Sequence, residues 1–406
     1  MPDNILNLLS EDAFNEKMDT QNALLAAIAS NNGGIVVKSW KDIQAIVRLG
    51  LASKVFHIGD QLVCNKGDKQ LVWDIIGFDH DVPADAQFKH SMTIQLHDLL
   101  PSAMQFDGSE LLFYVNPDVY PDGLAAGTYN VILNHGAYYN GTAEDGTYQF
   151  TCTSPIPSGG GIKHSSMGSW RNAYGQSYVL AGTFTTYDAE GNEIEKGLAT
   201  TLGSGGTNLG TFSGSDPSYM SDTSCCNFTE RNLGGSNRWK TSALRQFLNS
   251  DKAAGSVWQK QHIFDRPPTW NVNTAGFLSD IDADFVEVIG EVTKRTALSI
   301  ADGKGYEDLT ERFFLIARGE AYAGNENSID EGTPYEYYSL GSDLSAAGTG
   351  DDSNRIKYRG GSANYWWLRS PISGYGSHVR IFAPSGILHY DYAGDSIGVA
   401  PACNII

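Results

Sequence analysis

The stretch Asn364–Phe382, "NYWWLRSPISGYGSHVRIF", joins two kinds of sequence. It begins with a dense apolar and basic group, Trp366-Trp367-Leu368-Arg369, and continues as Ser, Gly, Tyr and His without a regular period. Adjacent tryptophans pack in a core more often than they form a platform for sugars. Strand alternation would direct one of the two inward and the other outward. The stretch therefore predicts a rigid, buried segment followed by an irregular ribbon near the C-terminus.

The composition places this stretch in a large, acidic, turn-rich chain. The 406 residues are enough for two or three domains, and 41% of them are hydrophobic. The 45 glycines and 20 tyrosines indicate turns and short strands rather than long helices. A net charge of −19 argues against nucleic acid as a partner, because no excess of Lys or Arg can displace counterions. We expect no signal peptide, and no apolar run reaches the ~18 residues that span a bilayer.

The front of the chain divides into two predicted regions. Residues 1–106 should form a helical and β region, a candidate association element, with a helix over 5–30. A second helix is expected over "SWKDIQAIVRLGLA", with Ser39 as its N-cap, followed by strands around a hairpin turn at 65–68. Residues 107–224 alternate apolar and polar positions between Gly, Pro and Asn, which predicts a sandwich-like β region.

The third predicted region is 225–406. "GSNRWKTSALRQFLNSD" predicts a helix capped by Thr241 or Ser242, with Leu244, Phe247 and Leu248 on one face. A long Gly/Ser/Asp loop is expected at 341–354. Short strands should follow to the end, with a ribbon at 370–400.

Recognised catalytic motifs are missing from the sequence. It contains no GxSxG, HExxH, P-loop or GxGxxG after a strand. The five cysteines lack CxxC spacing, which argues against zinc and against a disulfide framework. Thiols that stay reduced in a cytoplasm are the simplest explanation. We therefore predict no catalytic residue, no cofactor and no enzymatic activity.

Two clusters of titratable residues are candidates for a carboxylate pair and a metal site. Glu326, Asp330 and Glu331 could form a carboxylate pair, but their polar surroundings predict solvated loop charges. His378 and His389 are near each other in sequence, and a metal site there would need Asp391 and Asp395 as further ligands. We predict no metal.

Four segments carry a family resemblance. "RWKTSALRQFLNSD", "RFFLIARGEAY", "YWWLRSP" and "SGILHYDYAGDSIGVAPACNI" occur in this order in the C-terminal part of the chain. Together they resemble the C-type-lectin-like variable proteins of diversity-generating retroelements, of which the phage tropism determinant is the type. The resemblance implies an α+β fold with a C-type-lectin-like module at 225–406 and a β-rich N-terminal half.

The same resemblance implies a function and a setting. The protein would be a receptor-binding adhesin of a phage tail, made in the bacterial cytoplasm and located in the virion. Its partners would be a protein or glycan on the bacterial host surface and other tail proteins. Association as a homotrimer is expected, without nucleic acid and without membrane insertion.

The amino-acid alphabet of the ribbon fits this resemblance. Such retroelements mutate adenines, and their favoured AAC or AAT codons can become many residue types but never Lys, Glu, Gln, Met or Trp. None of these types occurs from Ser370 to Ile406, although they are common upstream, as in "EVTKR" and "VWQKQ".

The resemblance assigns roles along the ribbon. The scaffold would be Trp366, Trp367, Leu368 and Arg369. Tyrosine offers contact area at a low entropic cost, and Ser, His and Asp adapt their hydrogen bonds, as in antibody paratopes. The expected ligand-binding residues, all facing solvent, are Ile372, Ser373, Tyr375, Ser377, His378, Phe382, His389, Tyr390, Tyr392, Asp395 and Ser396.

Three alternatives stay open. The chain could be a structural tail or baseplate protein without receptor contact. It could be an enzyme of the formylglycine-generating type, although the copper-binding cysteine pair that such an enzyme needs is reduced here to Cys403. A calcium-dependent sugar lectin would need Glu-Pro-Asn or Gln-Pro-Asp, and neither triplet is present.

Overall fold

A computed structural model describes residues 37–134, 146–164, 183–199, 201–203, 205–213, 223–227, 229–339 and 353–406. Its helices are α1 (Trp40–Arg48), α2 (Ala52–Val55), α3 (Arg231–Gly234), α4 (Ala243–Leu248), α5 (Ala283–Val288) and α6 (Glu336–Ser339). The front strands are β1 (Gln61–Lys66), β2 (Lys69–Phe78), β3 (Met92–Leu96), β4 (Met104–Gln105), β5 (Phe113–Tyr114), β6 (Gly127–Asn134), β7 (Gly146–Cys152), β8 (Gly161–His164), β9 (Thr183–Tyr187), β10 (Glu193–Ala199), β11 (Thr201–Leu202) and β12 (Thr207–Ser213). The rear strands are β13 (Ile289–Gly290), β14 (Val292–Ala297), β15 (Tyr306–Glu311), β16 (Phe313–Phe314), β17 (Lys357–Arg359), β18 (Ser362–Asn364), β19 (Trp366–Pro371), β20 (His378–Phe382), β21 (Leu388–Tyr392), β22 (Ser396–Ile397) and β23 (Ala402–Ile405).

The expected α+β class is wrong, because the chain is β-rich. Strands account for 36% of the described residues and helices for 15%, and the strands form many small sheets. The longest described helix, α1, has nine residues, and the others have four to six. Helices this short are marginal alone and cannot form a packing layer. Helix α3 ends at the C-cap Gly235, and α4 ends at the C-cap Asn249.

The largest sheet joins the front of the chain to its end. Its strand order is β1-β2-β3-β23-β13, and β16 pairs with the other end of β23. In this sheet Ile94 of β3 lies opposite Cys403 of β23. One hydrophobic core extends over residues 43–106 and 239–406, with Trp73, Phe313 and Trp367 among its fully buried side chains. The first and third predicted regions therefore share one core.

The middle of the chain packs around a second core. The sheets β10-β9-β8-β5 and β11-β7-β6-β12 enclose Phe113, Phe150 and Phe184, and the rings of the last two stack at 4.3 Å. Cys226 belongs to this second core. The core therefore ends close to residue 224, the predicted end of the β-rich region.

Several local predictions agree with the structure. Ser39 caps α1 in a capping box with Asp42, and Ser242 caps α4 by accepting from Arg245 N. The β1–β2 hairpin turns where Gly67 adopts a φ of 59°, which glycine tolerates best. The predicted helix at 5–30 lies outside the described residues, as does nearly all of the loop at 341–354. In the described part of the chain, no helix has the length and apolar character to cross a membrane.

Candidate ligand-binding surface

Strand β19 forms the base of the candidate site, and all six of its residues are buried. Trp366 and Trp367 are both fully buried, so the expected alternation of one inward and one outward ring is wrong. The strand is covered on both faces. Trp366 packs 5.2 Å from the Phe382 ring, and Trp367 packs 5.7 Å from the Phe106 ring. The indole N–H groups donate to the carbonyls of Arg355 and Met104, at 2.7 and 2.8 Å.

Arg369 fixes the same strand through a buried ionic network. Its guanidinium donates two hydrogen bonds to the Glu320 carboxylate, at 2.6 and 3.0 Å. Glu320 also pairs with Lys294, which donates at 2.6 Å to Asp81. All of these side chains are buried, so losing one partner would leave an uncompensated charge in the core.

The loop between β19 and β20, residues 372–377, is held by side chains from distant parts of the chain. Asn237 is fully buried, and its amide donates to the carbonyls of Tyr375 and His378, at 2.7 and 3.0 Å. Arg231 Nε donates to the Gly376 carbonyl at 3.0 Å. These bonds fix an irregular backbone, and the hydroxyls of Ser373 and Ser377 add bonds to Glu326 and Glu230.

Two glutamates expected to be solvated loop charges are buried instead. Glu326 accepts from Arg318 and Arg380, at 3.0 and 2.7 Å, and also from the backbone of Ser373. Glu331 accepts from Ser370 Oγ at 2.6 Å and from the backbone of Ala297. The expectation of solvated charges is therefore wrong for Glu326 and Glu331, because both fold inward and accept from residues that include the distant Arg380 and Ser370.

Four aromatic side chains meet on one face of the β20–β21 hairpin. His378 lies at their centre, with ring centroids 4.9 Å from Tyr375, 5.4 Å from Tyr390 and 4.3 Å from Tyr392. The three tyrosines are 39%, 43% and 41% exposed in that order. We call these four residues the tyrosine patch. The strand register explains the grouping, since His378 pairs with Tyr392, while Arg380 pairs with Tyr390.

The opposite face of this hairpin is anchored in the core. Val379 and Ile381 of β20 are fully buried. Helix α3 also supports the hairpin, because a Cβ at Gly234 would lie 2.5 Å from the Tyr392 ring, so only glycine fits. Gly394 N donates to the Gly234 carbonyl at 2.7 Å. The patch is thus an exposed aromatic surface on a rigid support.

The electrostatics of the patch combine a neutral imidazole with nearby carboxylates. Burial lowers the pKa of His378 to about 4, so its ring is uncharged at neutral pH. Burial raises the pKa of Tyr392 to about 12, and the charges of Glu230, Asp395 and Asp391 add to this shift. Burial, and then a hydrogen bond with Asp391, raises the pKa of Asp395 to about 6. The patch is therefore bordered by negative charge.

The eleven predicted ligand-binding residues fall into three groups. Exposed positions are Tyr375, His389, Tyr390, Tyr392, Asp395 and Ser396, and half-buried positions are Ser373 and His378. Ile372, Ser377 and Phe382 are buried, so the expectation that they face solvent is wrong. Phe382 packs on Trp366, and Ser377 Oγ donates to Glu230 at 2.9 Å. These three residues support the surface from beneath.

Within the described ranges, no group of three or more His, Cys, Asp or Glu side chains is placed to hold a metal ion. Glu230, Asn237 and Arg231 hold the patch in place, and sequence reasoning missed all three. They lie more than a hundred residues before it, and no local pattern marks them.

Part of the chain matches a known family model. A family model described as a domain of unknown function, DUF6273, matches residues 223–406. This range includes the tyrosine patch, its anchors and strand β19. No curated protein and no solved structure matches the chain.

Proposed function

We propose that this protein is a receptor-binding adhesin of a phage tail whose tyrosine patch binds a molecule on the surface of a bacterial host. One observation carries the proposal: three half-exposed tyrosines surround His378 on a hairpin whose other face is locked in the core. Tyrosine is enriched among the residues that dominate binding energy, and a rigid support lowers the entropic cost of binding.

Diversification by a retroelement is part of the same proposal. The restricted alphabet from Ser370 onward supports it, and so does the separation of the exposed positions from the buried scaffold. A surface that must accept many side chains needs its folding energy elsewhere. Trp366 and Trp367 supply that energy without facing the ligand, and the Arg369–Glu320 pair fixes the position of the strand.

The experiment compares the wild-type chain with the triple variant Tyr375→Ala, Tyr390→Ala, Tyr392→Ala. Each chain carries a fluorescent label, and its binding to a panel of bacterial strains is measured by flow cytometry. We expect wild type to label some strains and the triple variant to label none. Removing a tyrosine anchor costs roughly 2 kcal/mol of binding energy.

The control removes three exposed apolar side chains far from the patch: Val63→Ala, Val119→Ala and Val272→Ala. This variant should label the same strains as wild type. Labelling that survives the loss of all three tyrosines would refute the proposal, provided that thermal denaturation shows both variants to be folded.

A further inference from the structure

Strand β8 carries a lysine that the proposed function does not use. Lys163 is half-buried and lies opposite Thr185 of β9, while Tyr187 of β9 lies opposite Gly161. Paired residues of neighbouring strands point to the same face of a sheet, so Lys163 and Tyr187 are diagonal neighbours on one face. Diagonal neighbours lie roughly 7–8 Å apart, within reach of a long side chain. The Lys163 ammonium can therefore approach the Tyr187 ring.

Arg266 brings a second cation to the same ring. Its guanidinium carbon lies 3.7 Å from the centroid of the Tyr187 ring. Tyr187 is itself buried, in a small cluster with Leu111 and Phe264. Burial, and then the charge of Arg266, lowers the pKa of Lys163 to about 8. The two cations are therefore close together, and Lys163 keeps its proton at neutral pH.

No carboxylate of the described residues forms an ion pair with either cation. Glu193 is near enough to raise the pKa of both Lys163 and Arg266, but its carboxylate pairs with Lys196 at 3.4 Å. Asp265, next to Arg266 in sequence, accepts instead from two backbone N–H groups earlier in the same loop, at 2.7 and 2.6 Å. Arg266 Nε is buried and has no hydrogen-bond partner in the described part of the chain. Both cations therefore lack a counter-charge.

Unpaired, half-buried cations are unusual, above all on an acidic chain. Lys and Arg are seldom buried without a partner, because removing a charge from water costs free energy. That cost is visible here, since burial lowers the pKa of Arg266 as well. Three cations, with Lys196 included, stand against the one carboxylate of Glu193 and leave two positive charges on a chain whose net charge is −19. An anionic ligand would supply the missing negative charge.

We propose that Lys163 and Arg266 form a second binding site, outside the tyrosine patch, that takes a phosphate group. Two unpaired cations match the nearly doubly charged phosphate at neutral pH. A guanidinium donates paired hydrogen bonds to phosphate oxygens, and a lysine ammonium adds a point charge. Free phosphate and a phosphate ester on a sugar share this chemistry, so the experiment includes both.

Isothermal titration calorimetry of the full chain at pH 7 measures its affinity for inorganic phosphate, glucose 1-phosphate, glucose and acetate. The double variant Lys163→Gln/Arg266→Gln is compared with the control Lys54→Gln/Lys69→Gln, whose two side chains are exposed and lie in the front of the chain. Each double variant loses two positive charges, so a general effect of net charge is equal in both. The single variant Lys163→Gln keeps the Arg266 stack on Tyr187, and it decides the question if thermal denaturation shows the double variant to be unfolded.

The two phosphate compounds should bind wild type and the control alike, and Lys163→Gln about tenfold more weakly, the size expected for losing one charged hydrogen-bond donor. The double variant should lose binding altogether. Glucose should not bind, and acetate, with one charge, should bind about tenfold more weakly than phosphate. Either order of the two phosphate compounds supports the site, and the order distinguishes a sugar phosphate from the free anion.

Three outcomes would overturn the proposal: no binding of either phosphate compound to wild type, equal weakening in the control, or acetate binding as tightly as phosphate. The triple tyrosine variant separates this site from the proposed function. It should bind phosphate as wild type does while failing to label bacterial strains. Loss of phosphate binding in the folded tyrosine variant would also overturn the assignment, because it would place the anion at the tyrosine patch.

Discussion

Replacing Asn237 by Ala should loosen the binding surface from beneath. The Asn237 amide donates to the carbonyls of Tyr375 and His378, at 2.7 and 3.0 Å, and the side chain is fully buried. Its removal leaves two carbonyls without these donors. Each buried polar group left unpaired costs about 1–3 kcal/mol, and water entering the vacated space would recover part of the cost. We therefore expect a loss of about 3 kcal/mol in the free energy of unfolding.

The assay is chemical denaturation combined with amide hydrogen exchange. Amide exchange should accelerate at Tyr375, whose N–H group donates to a carbonyl within this loop. It should also accelerate at Ala393, whose N–H group donates to the loop from just after β21. Asn249→Ala is the matched control, because its amide also donates to two carbonyls, of Arg245 and Phe313, but the residue is exposed and remote. The control should cost about 1 kcal/mol or less and leave exchange in the loop unchanged. An Asn237→Ala chain within about 0.5 kcal/mol of wild type, the range of ordinary surface changes, would refute the reasoning.

Three further predictions concern the core, the pH dependence of stability and assembly. Trp367→Ala should lower the free energy of unfolding by about 3–5 kcal/mol because it empties a fully buried site, whereas Tyr390→Ala should cost about 1 kcal/mol or less; denaturation curves measure both. Burial raises the pKa of Glu331 from 4.5 to about 7, so its contribution to stability is fully present below pH 4.5 and is lost as pH rises through 7. The free energy of unfolding of Glu331→Gln, measured by denaturation relative to that of wild type, should therefore rise by about 3 kcal/mol between pH 4.5 and pH 8. A difference in the free energy of unfolding that stays constant over this pH range would contradict the prediction. Finally, light scattering should report a trimer at micromolar concentration, and a stable monomer would contradict the expected assembly.

Much of the local structure follows from sequence because its signals are local. Ser39 with Asp42 begins α1, Ser242 begins α4, and Gly67 turns the first hairpin. Each of these features depends on residues within about four positions of one another. Such patterns can be identified without knowing the fold.

The fold class and the burial of the ribbon depend on distant contacts. Strand β23 pairs with β3, which lies about three hundred residues earlier, and no local sequence pattern predicts this pairing. Phe382 is buried because Trp366 and Arg355 meet it, and Ser377 is buried because Glu230 does. The resemblance implied that all eleven named residues face solvent, but contacts from residues distant in sequence bury three of them.

The burial of two glutamates was also not predictable from local sequence. Glu326 and Glu331 occur in a stretch rich in Asn, Asp and Gly, which normally indicates solvated charges. Their partners Arg380 and Ser370 lie in the ribbon, so their burial follows from the packing of two distant segments. Charge burial of this kind cannot be derived from one segment's composition.

A mutational scan of residues 366–406 tests the central claim most directly. Each variant is displayed on the surface of a host cell, and the scan measures the amount of folded protein displayed and its binding to the panel of bacterial strains. The account predicts that substitutions at Tyr375, Tyr390 and Tyr392 preserve folding and abolish binding. Substitutions at Trp366 and Trp367 should lower the stability of the fold by about 3–5 kcal/mol. If the three tyrosines prove as necessary for folding as the two tryptophans, the hairpin is core rather than a binding surface, and the account is wrong.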